Sequence, residues 1–495
     1  MKASRVLVFI LAVFALLGIA WAAFPADGVE VGALNLRFPS YAEDRMGKQE
    51  EVDVDDVLEK VSKSFEMTCS DTQLDSLMFF RDYLTLNPNR IYLPDEDYTY
   101  FDQLFQHFEQ AKKDQKVYRV MHYGDSQIEM DRITSVLRQR LQELFGGSGP
   151  NMIPAIQRVS SISVSQSFSG GLTRYSVYGD STTRRANHGR YGVMTQFSQA
   201  SGQANITFTK SRHSQAFEKV KEISHIGILI GNNSEGFKAS LRADTIKSEP
   251  KICAANQGVT LLSWDLPTTV SRGTITLQGN AEVYAILLDG EDGVAVDNNP
   301  LRGCSGTIFT RINKQVMEES FRLLDTRMII LQFGGNRMPG IHGSKAIANY
   351  MTELEKQIRY FKEVAPQATL LFIGPADMGK SYNGKIGTWK GLPELNDSLR
   401  ATALRNDVAY WDMFHVMGGE GSMAQYVKHR PALAGPDYIH FTFLGAQEIG
   451  DDLAKSFLTY YDFYNMRKRL PNEAIDNFMH QERENRFKPL NYYKP

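Results

Sequence analysis

The sequence predicts an α/β protein: a doubly wound parallel sheet that is interrupted by an all-β segment. In residues 117–152, and again after residue 297, short apolar runs alternate with stretches of helical periodicity. This alternation is typical of a parallel sheet with helices on both faces. Between residues 153 and 290 the helical periodicity disappears, and Gly-, Asn-, Ser- and Thr-rich clusters separate short apolar or alternating runs. This pattern of short runs and turn-forming clusters predicts a β-sandwich or jelly roll.

The α/β part begins with helices and then its first strand. Residues 57–86 and 99–112 have helical spacing of apolar side chains, and residues 117–123 form an apolar run that predicts a buried strand. A turn at residues 124–126 leads into an amphipathic helix that Gly146 and Gly147 end. The second half predicts strands at 328–333, 369–373 and 408–412, and helices at 306–321, 346–364, 395–404 and 444–461.

The all-β part contains short runs at fairly regular intervals. We predict strands at 161–168, 192–197, 204–209, 225–230, 238–242, 259–264, 274–277 and 283–288. Its aromatic residues could stack on sugars, although such residues more often belong to a core. They are Phe168, Tyr175, Tyr178, Tyr191 and Trp264.

Composition excludes some classes of function. The formal net charge of −2 argues against a general nucleic-acid-binding protein, which usually carries a basic patch. The three cysteines have no metal-ligand spacing, and the ten histidines are scattered. We therefore expect neither a metal site nor a cofactor.

The N-terminus predicts export. Lys2 and Arg5 precede an apolar run at residues 6–24, and residues 20–22 match a small-x-small cleavage pattern. The run is also long enough for an uncleaved anchor, so both alternatives stay open. Either one predicts a periplasmic or extracellular protein. The expected organisation is a signal peptide or membrane anchor (1–23), a linker (24–60), a helical lead-in with the first part of the α/β domain (61–152), the all-β insertion (153–290), the second part of the α/β domain (291–462) and a C-terminal tail (463–495).

Four short segments fall where a doubly wound fold places its active site, in loops that follow strands. They are Gly124-Asp125-Ser126-Gln127, Arg302 to Thr307, Gly334-Gly335-Asn336, and Asp437-Tyr438-Ile439-His440. Each has an ordinary structural explanation when taken alone: Ser126 and Asn336 as caps, Gly306 as a turn glycine and His440 as a turn residue.

Together these residue types fit nucleophilic acyl transfer. Ser126 needs a base, and His440 can be that base because imidazole titrates near neutral pH. Asp437, three residues earlier, can orient the imidazole and stabilise its charged form. The backbone N–H groups of Ser126 and Gly306 and the side-chain amide of Asn336 are candidate oxyanion donors.

The set resembles the SGNH (GDSL-type) hydrolase superfamily, whose four blocks carry Ser, Gly, Asn and His in that chain order. The resemblance covers about residues 90–150 and 295–460, and it implies a flavodoxin-like sheet and a serine esterase. Two positions depart from the family pattern: Gln127 stands where leucine is common, and Arg337 where aspartate is common. We consider Gln127, Arg302 and Arg337 as candidate substrate-binding residues.

The long separation of Ser126 from Gly306 far exceeds what a crossover between parallel strands needs, so the all-β segment fits as an insertion. This arrangement is similar to bacterial envelope peptidoglycan O-acetylesterases, in which a β-sandwich resembling a carbohydrate-binding module interrupts the hydrolase domain. The resemblance implies an O-acetylated carbohydrate as substrate. Two alternatives remain: an O-acetyltransferase that uses the same residues, and a catalytically idle carbohydrate-binding protein. The oligomeric state is not indicated.

Overall fold

The computed structural model describes residues 29–31, 34–36 and 71–470, with residues 475 and 479 beyond them. One compact unit comprises residues 78–469 and holds both large sheets. The other comprises residues 1–77 and 470–495, most of which lie outside the described ranges. The predicted signal or anchor and nearly all of the predicted linker therefore lie outside the described residues, as does most of the tail beyond 470.

The described chain forms strands and helices with the following bounds. The strands are β1 (Val29–Val31), β2 (Leu34–Leu36), β3 (Ile91–Tyr92), β4 (Val117–Gly124), β5 (Asn151–Ile153), β6 (Val164–Ser176), β7 (Gln196–Lys210), β8 (His225–Gly231), β9 (Phe237–Ala243), β10 (Ile246–Lys247), β11 (Lys251–Cys253), β12 (Thr260–Asp265), β13 (Arg272–Gly279), β14 (Ala281–Asp289), β15 (Gly293–Pro300), β16 (Thr326–Gln332), β17 (Thr369–Ile373), β18 (Gly379–Tyr382), β19 (Lys385–Thr388) and β20 (Ala409–Trp411). The helices are α1 (Asp71–Leu86), α2 (Asp102–Asp114), α3 (Thr134–Phe145), α4 (Lys314–Leu323), α5 (Ser344–Val364), α6 (Leu392–Arg405), α7 (Met413–Val416), α8 (Ser422–Lys428) and α9 (Phe443–Arg467).

The predicted parallel sheet is confirmed. Its six strands lie in the order β15-β4-β16-β17-β20-β3, and every neighbouring pair is parallel except β20 with β3. Numbered along the chain, the five parallel strands have the order 2-1-3-4-5, with the switch point beside β4. Two of the six strands, β15 and β3, were not predicted from the sequence.

Successive side chains of the central strands enter two different apolar cores, as the two-residue period of a strand requires. In β16, Met328 and Ile330 pack in the core that contains α2, α3 and α9, whereas Ile329 and Leu331 pack in the core of α4, α5 and α6. The sheet is therefore covered on both faces, which explains the continuous apolar runs of its strands.

A second sheet contains ten strands, β5 to β14, paired antiparallel. All ten lie between β4 and β15 along the chain. Every residue of β14 is buried: Tyr284 and Leu287 pack in the core of α4 and α5, and Ile286 and Leu288 pack in a core of the antiparallel strands. Hydrogen bonds link the ten strands into one network, so the predicted two-sheet sandwich or jelly roll stays a prediction.

The localisation predicted from the N-terminal sequence needs correction. That prediction was an exported, periplasmic or extracellular protein with a signal or a membrane anchor. Among the residues that the structure describes, no helix is long and apolar enough to cross a membrane. The apolar run on which the prediction depended, residues 6–24, lies outside the described ranges.

A buried ionic cluster connects the two sheets. Arg119 of β4 donates to Asp297 of β15, with Nη1 3.0 Å from Oδ1, and through Nη2 to Asp289 of β14. The side chains are 2%, 0% and 1% exposed, respectively. Asn151 of β5 donates to Asp289 at 3.0 Å and accepts the Val296 N–H at 2.9 Å. The guanidinium thus has the charged partners that a buried cation requires.

Replacing Arg119 with methionine should lower the free energy of unfolding by about 3–5 kcal/mol, because two buried carboxylates lose their cation. Urea unfolding followed by circular dichroism measures this change. Arg140→Met is the matched control, because Arg140 is exposed and its ion pair with Asp451 should contribute about 1 kcal/mol or less. Equal losses in the two variants would contradict the structural importance of the buried cluster.

Candidate active site

The register of the parallel strands brings three of the four sequence segments to one edge. Gly124, the last residue of β4, pairs with Pro300 of β15 on one side and with Gln332 of β16 on the other. The three strands therefore end side by side. The loops that carry Ser126, Gly306 and Asn336 all begin at this edge, which is the usual position of ligand sites in doubly wound sheets.

Ser126 begins a short 3-10 segment, Ser126–Asp131, and not an α-helix. Met130 and Asp131 have φ angles of 61° and 68°, which break helical continuity, and α3 begins only at Thr134. The prediction that an α-helix follows Ser126 directly is therefore wrong. The Asp125 carboxylate accepts the Gln127 N–H at 2.9 Å, so Asp125 provides the cap and the Ser126 hydroxyl is left for another partner.

That partner is a histidine from the far end of the sequence. Ser126 Oγ lies 2.9 Å from His440 Nε2, and His440 Nδ1 lies 2.7 Å from Asp437 Oδ2. Asp437 Oδ1 also accepts the backbone N–H groups of Ile439 and His440 at 3.0 and 3.1 Å. Burial alone raises the pKa of Asp437, but the hydrogen bonds from His440 and Ile439 outweigh it and hold that pKa below its ordinary value. Asp437 is thus an anionic partner for His440.

Gln127 connects the serine segment to the histidine loop. Its side chain is buried, and its amide Nε2 donates to the Ile439 carbonyl at 2.6 Å. Its Oε1 lies 3.5 Å from the Phe441 N–H. The two contacted residues, Ile439 and Phe441, flank His440, so Gln127 holds the histidine loop next to the Ser126 segment.

Arg132 makes a second connection between the same two segments. Nη1 donates to the Phe441 carbonyl at 2.7 Å, and Nη2 donates to the Ser126 carbonyl at 3.1 Å. Within the loop itself, Tyr438 adopts a left-handed φ of 58°. A non-glycine residue with this backbone is uncommon, and such conformations cluster at functional sites.

The candidate oxyanion donors lie among the same three loops. Asn336 Nδ2 donates to Asp125 Oδ2 at 2.9 Å and to the Cys304 carbonyl at 3.3 Å. The Gly306 N–H is 3.3 Å from Cys304 Sγ. Sulfur is a weak acceptor, so the Gly306 N–H loses little hydrogen-bond energy if it binds a substrate oxygen instead. Asn336 lines the cavity beside Ser126, whereas Gly306 is buried behind it.

Gly306 and Asp125 show how tightly this region is packed. At Gly306, φ is +78°, and a Cβ atom would lie 2.7 Å from Phe333 Cγ, so no larger residue fits there. Burial raises the pKa of Asp125 to about 6 in spite of the hydrogen bonds from Gln127 and Asn336. Burial also raises the pKa of Cys304 to about 11, so this thiol stays neutral.

A cavity of about 230 Å³ opens beside Ser126, His440 and Asn336. Its far wall is mostly apolar and comes mainly from loops that follow β17 and β20. The apolar contributors are Pro375, Ala376, Met378, Trp389, Met413 and Ile439. The volume is below the 300–1,000 Å³ that is usual for sites of drug-sized ligands, so the cavity suits a small apolar group.

The three candidate substrate-binding residues occupy different positions. Gln127 lines the small cavity, although both polar ends of its side chain are engaged. Arg302 is 69% exposed, pairs with Glu129 through Nη2–Oε2 at 2.6 Å, and lines a second, larger cavity. Arg337 lies over the Tyr350 ring, 5.7 Å from its centroid, and lines neither cavity.

His122 and the five aromatic residues considered above have mainly structural roles. His122 is fully buried between Gln332 and Thr134, and burial lowers its pKa to about 4. Tyr191 and Trp264 are buried, whereas Phe168 is 46% exposed. The remaining two aromatic residues have partners: Tyr175 stacks on Phe197, and Tyr178 Oη donates to the Gly303 carbonyl.

Four contributions to this site were not predicted from the sequence. Asp125, which holds Asn336, and Arg132 had no predicted role, and Gln127 was considered only for substrate contact. The wall that Pro375 and Trp389 form was not identified either, although residues 374–376 directly follow the predicted strand 369–373. Their position directly after a predicted strand was the one sequence feature that could have indicated this wall.

The sequence matches a known family over part of its length. Residues 268–448 match the model of the GDSL-like lipase/acylhydrolase family. This range includes Gly306, Asn336, Asp437 and His440, but Ser126 lies before it. Among curated proteins, none matches the chain.

Solved structures support the fold. A peptidoglycan O-acetylesterase structure is 19% identical, covers 74% of this chain and 96% of its own, and has a TM-score of 0.57. An acetyl xylan esterase is 13% identical, covering 33% of this chain and 81% of its own, with a TM-score of 0.26. A family two carbohydrate esterase from Clostridium thermocellum, in complex with cellohexaose, is 10% identical, covering 59% of this chain and 100% of its own, with a TM-score of 0.23. Only the first score supports a common fold.

Replacing Gln127 with leucine should lower kcat for a short acetyl ester about tenfold, because the loss of a buried hydrogen bond loosens the His440 loop. KM should change less than kcat. Steady-state kinetics with p-nitrophenyl acetate measures both quantities. Gln315→Leu is the control, because Gln315 is exposed and bonds only Glu319 within α4. An unchanged kcat in Gln127→Leu would contradict a positioning role.

Proposed function

We propose that this chain, which carries a GDSL-like lipase/acylhydrolase domain and is a hydrolase of ester bonds, removes O-acetyl groups from a carbohydrate. The proposed catalytic residues are Ser126, His440 and Asp437. One observation carries the proposal: the hydrogen-bonded chain from Ser126 through His440 to Asp437, at 2.9 and 2.7 Å, stands beside a small apolar cavity.

In the proposed mechanism, His440 Nε2 takes the proton of the Ser126 hydroxyl while Oγ attacks the acetyl carbonyl carbon. Asp437 accepts the Nδ1–H, which fixes the tautomer and stabilises the imidazolium. The tetrahedral intermediate then collapses, and His440 gives its proton to the departing sugar oxygen, which leaves as a hydroxyl group. Water repeats the sequence on the acetyl-serine and releases acetate.

The developing oxyanion would be held by the N–H groups of Ser126 and Gly306 and by Asn336 Nδ2. Gly306 would exchange its 3.3 Å contact with Cys304 Sγ for a charge-assisted bond. Asn336 would give up its 3.3 Å contact with the Cys304 carbonyl and keep the 2.9 Å bond to Asp125. Asp125 thereby acts as a positioning residue for the amide.

Solvent access supports hydrolysis over transfer. The side chains of His440 and Asp437 are 41% and 49% exposed, so water can reach the base. A transferase is favoured when water is kept from the acyl-enzyme, and the part of the chain that the structure describes leaves His440 open to solvent. Hydrolysis is therefore the outcome that we propose.

An O-acetylated carbohydrate is the proposed substrate class. A solved structure with a common fold is that of a peptidoglycan O-acetylesterase, which supports this class by analogy of fold. The small cavity fits an acetyl group, and the exposed side of His440 leaves room for the rest of the polymer. We further propose that residues 153–290 act as an inserted module that contacts this polymer.

Ser126→Ala and His440→Ala should each lower kcat/KM for p-nitrophenyl acetate by about 10⁴-fold or more, because nucleophile and base act as one unit. The double variant should be no worse than either single variant. Asp437→Asn should cost about 10²- to 10⁴-fold, since the wrong imidazole tautomer is favoured. Kinetics of p-nitrophenol release measures all four variants.

The matched control is Ser181→Ala, since Ser181 is an exposed serine outside the site. Wild-type turnover that survives in Ser126→Ala would exclude the serine mechanism, whereas negligible turnover in both wild type and variant would favour an idle binding protein. Acetyl transfer to an added oligosaccharide, with negligible acetate release in its absence, would instead establish a transferase.

A further inference from the structure

A second cavity, of about 560 Å³, lies between the two sheets. Its wall includes the far end of the serine segment, Glu129 to Asp131, and the end of β15 with Arg302. The opposite wall comes from β6, β7 and the loop before β6. We call it the arginine cavity, after Arg158 and Arg174, which line it.

The arginine cavity has an excess of positive charge, because four arginines and three carboxylates line it. Arg302 and Arg138, which also line it, are paired with Glu129 and Asp131. Among the described residues, neither Arg158 nor Arg174 forms an ion pair. Arg174 donates through Nε to Gln196, which orients the guanidinium and leaves its Nη groups for a ligand. Burial, together with repulsion from Arg158 and Arg185, lowers the pKa of Arg174 to about 10.

One carboxylate, that of Asp180, interacts electrostatically with both arginines without forming an ion pair with either. Asp180 lines the same cavity, but its Oδ1 accepts the N–H and the hydroxyl of Thr182 at 2.9 and 2.6 Å. A separate signal comes from Asn299, which lines the cavity and is 3% exposed. Its side-chain oxygen has no hydrogen-bond partner within the described part of the chain. A buried acceptor without a donor is costly, and a ligand hydroxyl would satisfy it.

The arginine cavity is close to the reacting serine. Ser126 lines the small cavity and Glu129 lines the arginine cavity, and they are three residues apart. A fully extended chain spans at most about 3.3–3.6 Å per residue, so their Cα atoms are within roughly 10 Å. An oligosaccharide bound at Ser126 can therefore extend into the arginine cavity, which Arg174 lines.

We propose that the arginine cavity binds a carboxylate substituent of the glycan whose ester Ser126 cleaves, so that the enzyme selects acidic polysaccharides. The planar guanidinium of Arg174, with Arg158 beside it, matches a carboxylate in shape and charge. Asn299 accepts a sugar hydroxyl in the same cavity. This inference depends on the esterase function proposed above for the choice of ligand.

The test compares two acetylated oligosaccharides that differ only in charge. One is an O-acetylated oligogalacturonide, and the other is the same oligosaccharide with its carboxyl groups reduced to alcohols before acetylation. Wild-type enzyme should show a kcat/KM for acetate release about tenfold or more higher on the acidic substrate, as a charged hydrogen bond provides. Arg174→Gln should abolish this ratio, mainly through KM, and Arg174→Lys should restore part of it.

Arg184→Gln is the matched control, because Arg184 is exposed in the connection between β6 and β7 and does not line the arginine cavity. Its ratio should equal that of the wild type. An equal kcat/KM on the two substrates in the wild-type enzyme would overturn the proposal, as would an unchanged ratio in Arg174→Gln.

Direct binding separates this inference from the proposed function. Titration calorimetry with the unacetylated oligogalacturonide should give binding to wild-type protein and at least tenfold weaker binding to Arg174→Gln. Inorganic phosphate that binds equally well would mark a general anion site and contradict glycan selection. Failure of wild-type enzyme to hydrolyse p-nitrophenyl acetate would refute the esterase proposal alone, since the binding result stands independently of it.

Discussion

The buried guanidinium of Arg119 is the interaction on which the arrangement of the two sheets depends. A cation inside a protein is tolerable only with charged partners, and here those partners come from two different strands, Asp289 of β14 and Asp297 of β15. The chain leaves the parallel sheet after β4, builds ten antiparallel strands, and must return beside β4 to satisfy Arg119. That return places β15, and the loop with Gly306 that follows it, next to the strand that presents Ser126.

The site then follows from strand register. Because β4, β15 and β16 end side by side, three loops meet at one edge, where Asn336 donates to both Asp125 and the Cys304 carbonyl. Only the histidine loop arrives from elsewhere. Gln127 and Arg132 hold it by three contacts to the backbone around His440, and Arg132 also contacts the Ser126 carbonyl, so the serine segment positions the proposed base.

The elements that could be predicted from the sequence are those that depend on a local pattern of apolar residues. Strand 369–373 was predicted with its observed bounds because its apolar run is short and uninterrupted. Strand β15 was not predicted because its last residues are polar, Asp-Asn-Asn-Pro, and it becomes a strand only by pairing with β4. The α-helix expected after Ser126 fails at Met130 and Asp131, whose left-handed backbone no periodicity reveals. The four candidate segments were found from residue types and order, whereas the role of Gln127 depends on its contact with Ile439, which is remote in sequence.

The central claim is that Ser126 becomes acetylated during turnover, with His440 as its base. Rapid quenching of the wild-type enzyme during hydrolysis of p-nitrophenyl acetate, followed by mass spectrometry of the digested protein, tests it most directly. We expect one acetyl group on the peptide that contains Ser126, formed and lost at rates consistent with kcat, and none in Ser126→Ala. Turnover at the wild-type rate with no acetyl group on Ser126, or with the group on another residue, would contradict it.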